Sequence, residues 1–225
     1  MATTVKRIVL GISGASGAIL AVTMLKAMRA RPDWSVHLVV SEGAERTVRH
    51  ELDLGLDELA ELADTAHPIG DIGASIASGT FRTEGMVVMP CSMKTLAGVT
   101  HGFSNNLLLR AADVTLKERR KLVLVTRETP LSGIHLQNMA AMAGFGAVIL
   151  PPMLTYYNHP RNMQDQNNHI VGKVLSEFGL EMPEFRRWGS PGQQAPYEPP
   201  PRTTNEPKQP TTPENQSRGA THELQ

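Results

Sequence analysis

MVVMPCSMKTLAG, residues 86–98, contains a short apolar strand and the start of a helix with almost no loop between them. The four apolar residues at 86–89 are typical of a strand that is buried on both faces of a sheet. We expect this strand to stop at Pro90, and we expect Ser92 to cap a helix that continues to Val99. A buried strand that passes directly into a capped helix predicts a parallel α/β sheet.

The same alternation of strands and helices extends to both sides of this stretch. Apolar runs predict further strands at residues 5–12, 36–40, 122–126 and 147–150. Helical spacing of apolar residues predicts helices at residues 19–29, 43–50, 56–63, 106–119, 132–142 and 161–178. The expected fold class is α/β, a mainly parallel sheet with helices on both faces and right-handed crossovers. Ligands of such sheets bind beyond the carboxyl ends of the strands.

Composition divides the chain of 225 residues into two parts. Residues 1–189 are expected to form one core domain. Residues 190–225 hold half of the 16 prolines and few aliphatic side chains, which predicts a disordered tail or, alternatively, a strap that docks on a neighbouring subunit. With 22 basic and 22 acidic residues, the chain has no general attraction to nucleic acid or to anionic membranes. Neither a signal peptide nor a membrane-spanning apolar run is found, so we expect a cytoplasmic protein.

A glycine-rich turn at residues 11–17 (GISGASG) follows the first strand and opens the first helix. Its backbone amides and the hydroxyls of Ser13 and Ser16 are suited to holding a phosphate. Ser13 stands where the dinucleotide motif has its second glycine, and the second strand ends in Ser41, where NAD sites prefer an acidic residue. The turn therefore favours a mononucleotide or a phosphate over NAD. A tight turn that binds nothing is the structural alternative.

Charged side chains also occur where ligands are expected. Arg127 directly follows the strand at 122–126, which puts it in the ligand crevice. Glu128 beside it is suited to acid or base chemistry in a dry pocket, or only to an ion pair or a helix start. Arg110 and Lys117 are seven residues apart in one predicted helix, so they share a face of it.

Cys91 is the single cysteine, which excludes an intrachain disulfide and a cysteine-based zinc site. Its position before a helix is expected to lower its thiol pKa, but no histidine is adjacent, so nucleophilic catalysis is not favoured. The eight histidines lack metal-ligand spacing, and we expect no metal. The hydroxyl of Tyr157 is able to hold a phosphate oxygen, and Lys173 in the last helix can reach back as a point charge.

Several motifs together resemble the flavin prenyltransferase family, the UbiX type, over residues 6–188. They are GASG (14–17), PCSMKTLAG (90–98), RAADVTLKERR (110–120), RETPLS (127–132), IHL (134–136), NM (138–139) and PP (151–152) ahead of Tyr157. The resemblance implies a flavodoxin-like Rossmann fold and a homo-oligomer, a dodecamer with its sites at subunit contacts. It implies transfer of a dimethylallyl group from dimethylallyl phosphate to N5 and C6 of reduced FMN, without a metal. The prenylated FMN would serve a partner decarboxylase that acts on aromatic or phenolic acids.

The resemblance also assigns residues to the site. The implied FMN contacts are Gly14, Ala15, Ser16, Ser41, Ser92, Met93, Thr95 and Arg127. The implied contacts to the prenyl phosphate are Arg110, Lys117, Glu128, Tyr157 and Lys173. The implied catalytic residues are Glu128, Ser16 and Lys117, with Glu128 and Ser16 moving the proton from the flavin N5. Many members have arginine in place of Lys173, so a bidentate phosphate contact becomes a point charge. We expect these segments to converge on one dry cleft.

Three other functions remain as alternatives. The first is a flavin-binding accessory subunit of a hydroxyarylic acid decarboxylase complex, with little turnover of its own; the presence of Lys117 and Glu128 favours the transferase. The second is a flavoprotein that oxidatively decarboxylates a peptidyl cysteine, but the histidine which that chemistry needs after the first helix region is not found. The third is an NAD(P) reductase, which the turn at residues 11–17 disfavours.

Overall fold

The computed structural model describes residues 5–189 and has a parallel sheet of six strands with helices on both faces. The tail expected at residues 190–225 lies outside the described residues. The predicted fold class is confirmed.

Strands and helices alternate through most of the described chain. The strands are β1 (Lys6–Ile12), β2 (Trp34–Val40), β3 (Thr65–His67), β4 (Gly85–Cys91), β5 (Lys121–Thr126) and β6 (Val148–Ile149). The α-helices are α1 (Ala18–Arg29), α2 (Glu42–Glu51), α3 (Leu56–Ala60), α4 (Met93–Thr100), α5 (Leu107–Lys117), α6 (Gly133–Gly144) and α7 (Met163–Ser176). A short 3₁₀ helix, Ser75–Ala77, precedes β4.

The strand order is β3-β2-β1-β4-β5-β6, and every neighbouring pair is parallel. The order reverses between β1 and β4, so the loops after these two strands diverge to opposite sides and leave a crevice between them. Two apolar clusters fill the space on the two faces of the sheet. One is built with α1 and α7, and the other with α4, α5 and α6.

One prediction about the strands was wrong, and one strand was not predicted. β4 does not stop at Pro90 but continues to Cys91. Proline lacks only the N–H, and the Pro90 carbonyl still accepts a hydrogen bond from the Ser13 amide (3.1 Å). The edge strand β3 was not predicted, because its three residues, Thr-Ala-His, are mostly exposed and carry no apolar pattern.

Candidate functional site

A cleft of about 630 Å³ opens at the carboxyl ends of β1, β2 and β4, where the strand order predicts a ligand. Four of the predicted FMN contacts line it: Gly14, Ser41, Ser92 and Thr95. Its opposite wall comes from Ile69 and Gly70 after β3 and from Asn106 and Leu109 at the start of α5. The size is that of an ordinary small-molecule site.

Two helix N-termini open on this cleft. The Ser41 hydroxyl caps α2 by accepting from the Ala44 amide (3.2 Å), and the Ser92 hydroxyl caps α4 by accepting from the Thr95 amide (3.3 Å). The first amides of each helix have no partner within the helix, and the helix dipole makes this end positive. The prediction that Ser92 caps a helix is confirmed, and the arrangement suits a phosphate-bearing ligand.

Ser13 does not act as the predicted phosphate donor. Its side chain is buried, its hydroxyl donates to the Pro90 carbonyl (2.9 Å), and it accepts from the Ser92 amide (2.7 Å). Both of its hydrogen-bonding roles are therefore used to fasten the β1 loop to the end of β4. This contact fixes the position of the α4 N-terminus relative to β1.

Gly14 is required by the close approach of two backbones. A Cβ at this position would lie 2.9 Å from the carbonyl carbon of Gly43, in the first turn of α2. Such a contact is too short for any side chain, and both partners are backbone atoms that cannot rotate away. The absence of a side chain at Gly14 therefore lets the turn after β1 and the start of α2 form one continuous wall of the cleft.

A carboxylate that the sequence did not single out lies next to the predicted FMN residue Ser16. Glu51 accepts hydrogen bonds from the amides of Gly17 (2.9 Å) and Ala18 (3.0 Å) at the N-terminus of α1. Burial alone would raise its pKa, but hydrogen bonds from the Ser16 hydroxyl and these amides, with the charge of Arg127, lower the pKa below its ordinary value. Glu51 thus caps the N-terminus of α1 beside Ser16.

One signal in the sequence could have identified Glu51. It is the last residue of α2, where the negative end of the helix dipole disfavours a carboxylate. An acidic residue at such a position needs a partner elsewhere, and here that partner is the positive N-terminus of α1.

Arg110 and Lys117 lie on one face of α5, as predicted; Arg110 reaches the end of the 3₁₀ helix, and Lys117 reaches the loop that follows it. Arg110 donates to Asp113 (2.8 Å) and to the Ala77 carbonyl (3.3 Å), while Lys117 pairs with Glu118 (2.5 Å). A second, smaller cleft of about 460 Å³ is lined here by Gly79, Thr80, Arg82, Lys117, Glu118 and Arg120. These cations are separate from the larger cleft within a single chain.

The remaining predicted phosphate contacts lie on other surfaces. Glu128 is exposed, and its carboxylate accepts from the Thr129 amide (3.0 Å). Lys173 is exposed on α7 and pairs with Glu177 (2.9 Å). Tyr157 lies against α7, with its hydroxyl 3.4 Å from Nε2 of His169.

A single chain therefore does not bring all the predicted site residues together. Of the predicted FMN contacts outside the cleft, Ala15 is buried in the turn after β1, Met93 is half-buried at the start of α4, and Arg127 is exposed after β5.

Cys91 is fully buried at the end of β4, and burial raises its pKa to about 12. The expectation that the following helix lowers this pKa was wrong, because the apolar surroundings penalise the thiolate more than the nearby amides stabilise it. A buried thiol that stays protonated is a poor nucleophile.

At the β6 end of the sheet, large apolar side chains are left exposed. This exposed apolar edge comprises Leu131, Ile134, Leu136, Phe145, Met153, Leu154 and Tyr156. Ile134 and Phe145, at the two ends of α6, are 68% and 67% exposed. So many exposed large apolar side chains on one helix and its adjoining segment are typical of a surface that contacts another protein.

Two classes of feature are not present in the part of the chain that is described. No helix within residues 5–189 combines the length and the apolar character needed to cross a bilayer. Across the same residues, no three His, Cys, Asp or Glu side chains are grouped so as to hold a metal ion.

Comparisons with known proteins agree on one family. The Flavoprotein family model matches residues 2–178. The flavin prenyltransferase LpdB of Lactiplantibacillus plantarum is 52% identical over 183 residues, which cover 81% of this chain and 98% of that protein.

Two solved structures have the same fold with high sequence identity. A dodecameric FMN-dependent UbiX-like decarboxylase from Escherichia coli O157:H7 superposes with a TM-score of 0.80 at 50% identity, covering 81% of this chain and 98% of that one. AnUbiX, crystallised with FMN and dimethylallyl pyrophosphate, gives a TM-score of 0.79 at 47% identity, covering 81% and 97%.

Proposed function

Because the chain belongs to the UbiX-like flavin prenyltransferases, a family of flavoproteins, we propose that it transfers a dimethylallyl group from a dimethylallyl phosphate to N5 and C6 of reduced FMN. The observation that carries the proposal is the cleft at the switch point of the sheet, which is lined by the serine caps of two helices. The product would be prenylated FMN for a partner decarboxylase. A cytoplasmic location remains a prediction from the sequence.

The residues present in the cleft fit a flavin mononucleotide. The caps Ser41 and Ser92 leave the first amides of α2 and α4 available to an anionic group. Gly14 and Gly43 present bare backbone on one side, and Leu108 and Leu109 supply apolar surface on the other. When bound, reduced FMN supplies the nucleophilic N5 and C6 atoms.

Removal of the proton from the flavin N5 is assigned to Ser16 together with Glu128, the pair that the sequence resemblance implies. Glu51 has a different part, since its carboxylate accepts from the amides of Gly17 and Ala18 and so holds the start of α1 beside Ser16. Its lowered pKa keeps it ionised and makes it a weak base. Glu128 is exposed within one chain, so the assignment requires it to reach Ser16 across a subunit contact.

Cleavage of the allylic C–O bond leaves a phosphate anion and an allyl group with cationic character. Lys117, Arg110 and Lys173 would stabilise the phosphate oxygens, with the Tyr157 hydroxyl as a further donor. Glu128 would hold a proton and donate it to the leaving phosphate. Aromatic faces would stabilise the allyl cation. In this proposal the charge that develops on the phosphate is stabilised by side-chain cations.

These groups are separated within one chain, so we infer that neighbouring subunits complete the site. The exposed apolar edge, which begins at Leu131 only three residues after Glu128, gives a surface for such assembly. The E. coli O157:H7 relative is dodecameric, and a dodecamer of this chain would bring Glu128, Tyr157 and Lys173 of one subunit to the cleft of another.

The accessory-subunit alternative predicts a different outcome in one experiment. Purified protein is incubated anaerobically with reduced FMN and either dimethylallyl monophosphate or diphosphate, and the flavin is then weighed by mass spectrometry. A flavin heavier by one dimethylallyl group supports the transferase and identifies the donor. Tight FMN binding with no change of flavin mass from either donor would contradict the proposal and favour the accessory subunit.

A further inference from the structure

His169 on α7 makes the only side-chain polar contact of Tyr157 within residues 5–189. Its Nε2 lies 3.4 Å from the Tyr157 hydroxyl, and the two rings meet edge to face with centroids 5.7 Å apart. The other side of His169 packs against Phe185, with centroids 5.0 Å apart. The imidazole is 7% exposed, so it is held between an aromatic wall and the tyrosine that the proposed function assigns to the phosphate.

The second ring nitrogen of His169 constrains its protonation state. Among the described residues, Nδ1 has no hydrogen-bond partner although it is buried. Burial lowers the pKa of His169, so the ring is neutral and carries one N–H. A proton on Nδ1 would be a buried N–H without a partner, which is rare in folded proteins, whereas a proton on Nε2 faces the Tyr157 oxygen. The proton therefore belongs on Nε2, which faces Tyr157.

We propose that His169 is a positioning residue that donates its Nε2–H to the Tyr157 oxygen and thereby turns the tyrosine's own proton toward the prenyl phosphate. The phenol oxygen accepts from the imidazole and donates to a phosphate oxygen, and no bond is broken. A tyrosine without this partner is free to rotate its hydroxyl to any acceptor nearby. This inference rests on the proposed function, since it deepens the role given there to Tyr157.

The turn that carries Tyr157 is fixed by contacts that do not involve His169. The Gln166 side chain accepts from the Thr155 amide (3.1 Å) and donates to the Thr155 carbonyl (2.7 Å). The Asn158 side chain accepts from the Thr155 hydroxyl (3.1 Å). Replacing His169 with another ring should therefore leave the backbone in place and remove only the hydrogen bond to the tyrosine.

A double-mutant cycle tests the inference on the full-length protein. Tyr157→Phe, His169→Phe and the double variant are compared with wild type for kcat/KM toward dimethylallyl phosphate, with FMN affinity measured in parallel. We expect Tyr157→Phe and His169→Phe each to lower kcat/KM about 10-fold, close to the loss of one hydrogen bond. The double variant should lose no more than Tyr157→Phe alone, and FMN affinity should not change.

Two further variants separate positioning from structure. His169→Gln places an amide N–H near the position of Nε2 and should recover most of the activity lost in His169→Phe. Asn168→Ala is the control on the same helix, since Asn168 bonds only to Gln164 (2.8 Å) in the described chain, and it should behave as wild type. Additive losses in the double variant, or no recovery in His169→Gln, would overturn the inference while leaving the transferase intact. No effect of Tyr157→Phe would overturn both this inference and the role proposed for Tyr157.

Discussion

The cleft proposed for the flavin and the residues proposed for the prenyl phosphate are built in different ways. The cleft residues Gly14, Ser41 and Ser92 lie at the ends of adjacent strands, and the fold of one chain puts them together. Arg110 and Lys117 share a face of α5, whereas Glu128 and Lys173 lie on other surfaces, and these charges are paired with local partners or exposed. Folding of one subunit thus forms the cleft, and we infer that assembly is needed to complete the rest of the site.

The strongest test of this comparison removes the assembly. The double variant Ile134→Asp/Phe145→Asp puts two charges on the exposed apolar edge, and we expect it to be a monomer. Its prenyl transfer should fall by about 100-fold or more, because the phosphate loses its stabilising cations, while FMN still binds. Sedimentation and flavin mass spectrometry measure the two effects. Arg29→Asp, on the exposed end of α1, is the control. A monomeric variant with full activity would contradict the inference that assembly completes the prenyl-phosphate half of the site.

Single substitutions in the phosphate half should separate binding of flavin from chemistry. We expect Lys117→Ala and Glu128→Gln each to reduce product formation by about 100-fold, through loss of a fixed charge or of a proton donor. FMN affinity, measured by fluorescence quenching, should stay at the wild-type value. Lys26→Ala, at an exposed position of α1, provides the control. Unchanged product formation in both variants would remove these residues from the site.

A histidine pair inside the chain predicts that the flavin half is sensitive to acid. His37 on β2 stacks on His67 of β3, with Nδ1 and Nε2 2.9 Å apart, and Ile69 and Gly70 of the cleft wall follow directly. Burial, then the charges of His67 and Arg7, lower the pKa of His37 to about 4, against an opposing effect of Asp64.

The unfolded chain therefore binds more protons than the folded chain between pH 6.5 and about 4, so stability falls as the pH falls through this range. We expect the free energy of unfolding in urea to drop by about 2 to 3 kcal/mol between pH 7 and pH 4.5 on account of His37. His37→Asn should flatten this dependence, and an unchanged pH profile in the variant would refute the assignment.

The smallest expected effect is on stability, and it compares the two serine helix caps that line the cleft with a helix cap elsewhere in the fold. Ser41→Ala, Ser92→Ala and Asn162→Ala each remove one capping hydrogen bond, from α2, α4 and α7, and each should cost about 1 kcal/mol of stability. Only the two serine variants should also bind FMN more weakly, because Asn162 does not line the cleft. Equal FMN affinity in all three would mean that the serines serve the helices alone.

The sequence was sufficient where local chemistry decides structure. Ser92 caps α4 because a short hydroxyl side chain directly before a helix satisfies an amide that has no other partner, and this pattern is visible in a few residues. The parallel sheet could be predicted from the alternation of apolar strands and amphipathic helices, because each of these patterns is also visible within a short stretch of sequence.

What sequence reasoning missed depends on contacts between distant segments. Glu51 is recognised only when the end of α2 is seen against the start of α1, more than 30 residues away in the chain. The hydroxyl of Ser13 was predicted to bind a phosphate, but it forms hydrogen bonds with Pro90 and Ser92, which are 77 and 79 residues away in the chain. The pKa of Cys91 was misjudged because its direction depends on packing that no local pattern reveals.

Because Cys91 is buried, an introduced surface cysteine can be labelled selectively with a spectroscopic probe. Cys91 is the single sulfhydryl of the sequence, and as a fully buried, protonated thiol it should react slowly with maleimides. A second cysteine introduced on the surface, for example in place of Lys26, would then take up a fluorophore or a spin label almost alone. Energy transfer between labelled copies would report subunit exchange without any need to delete the native thiol.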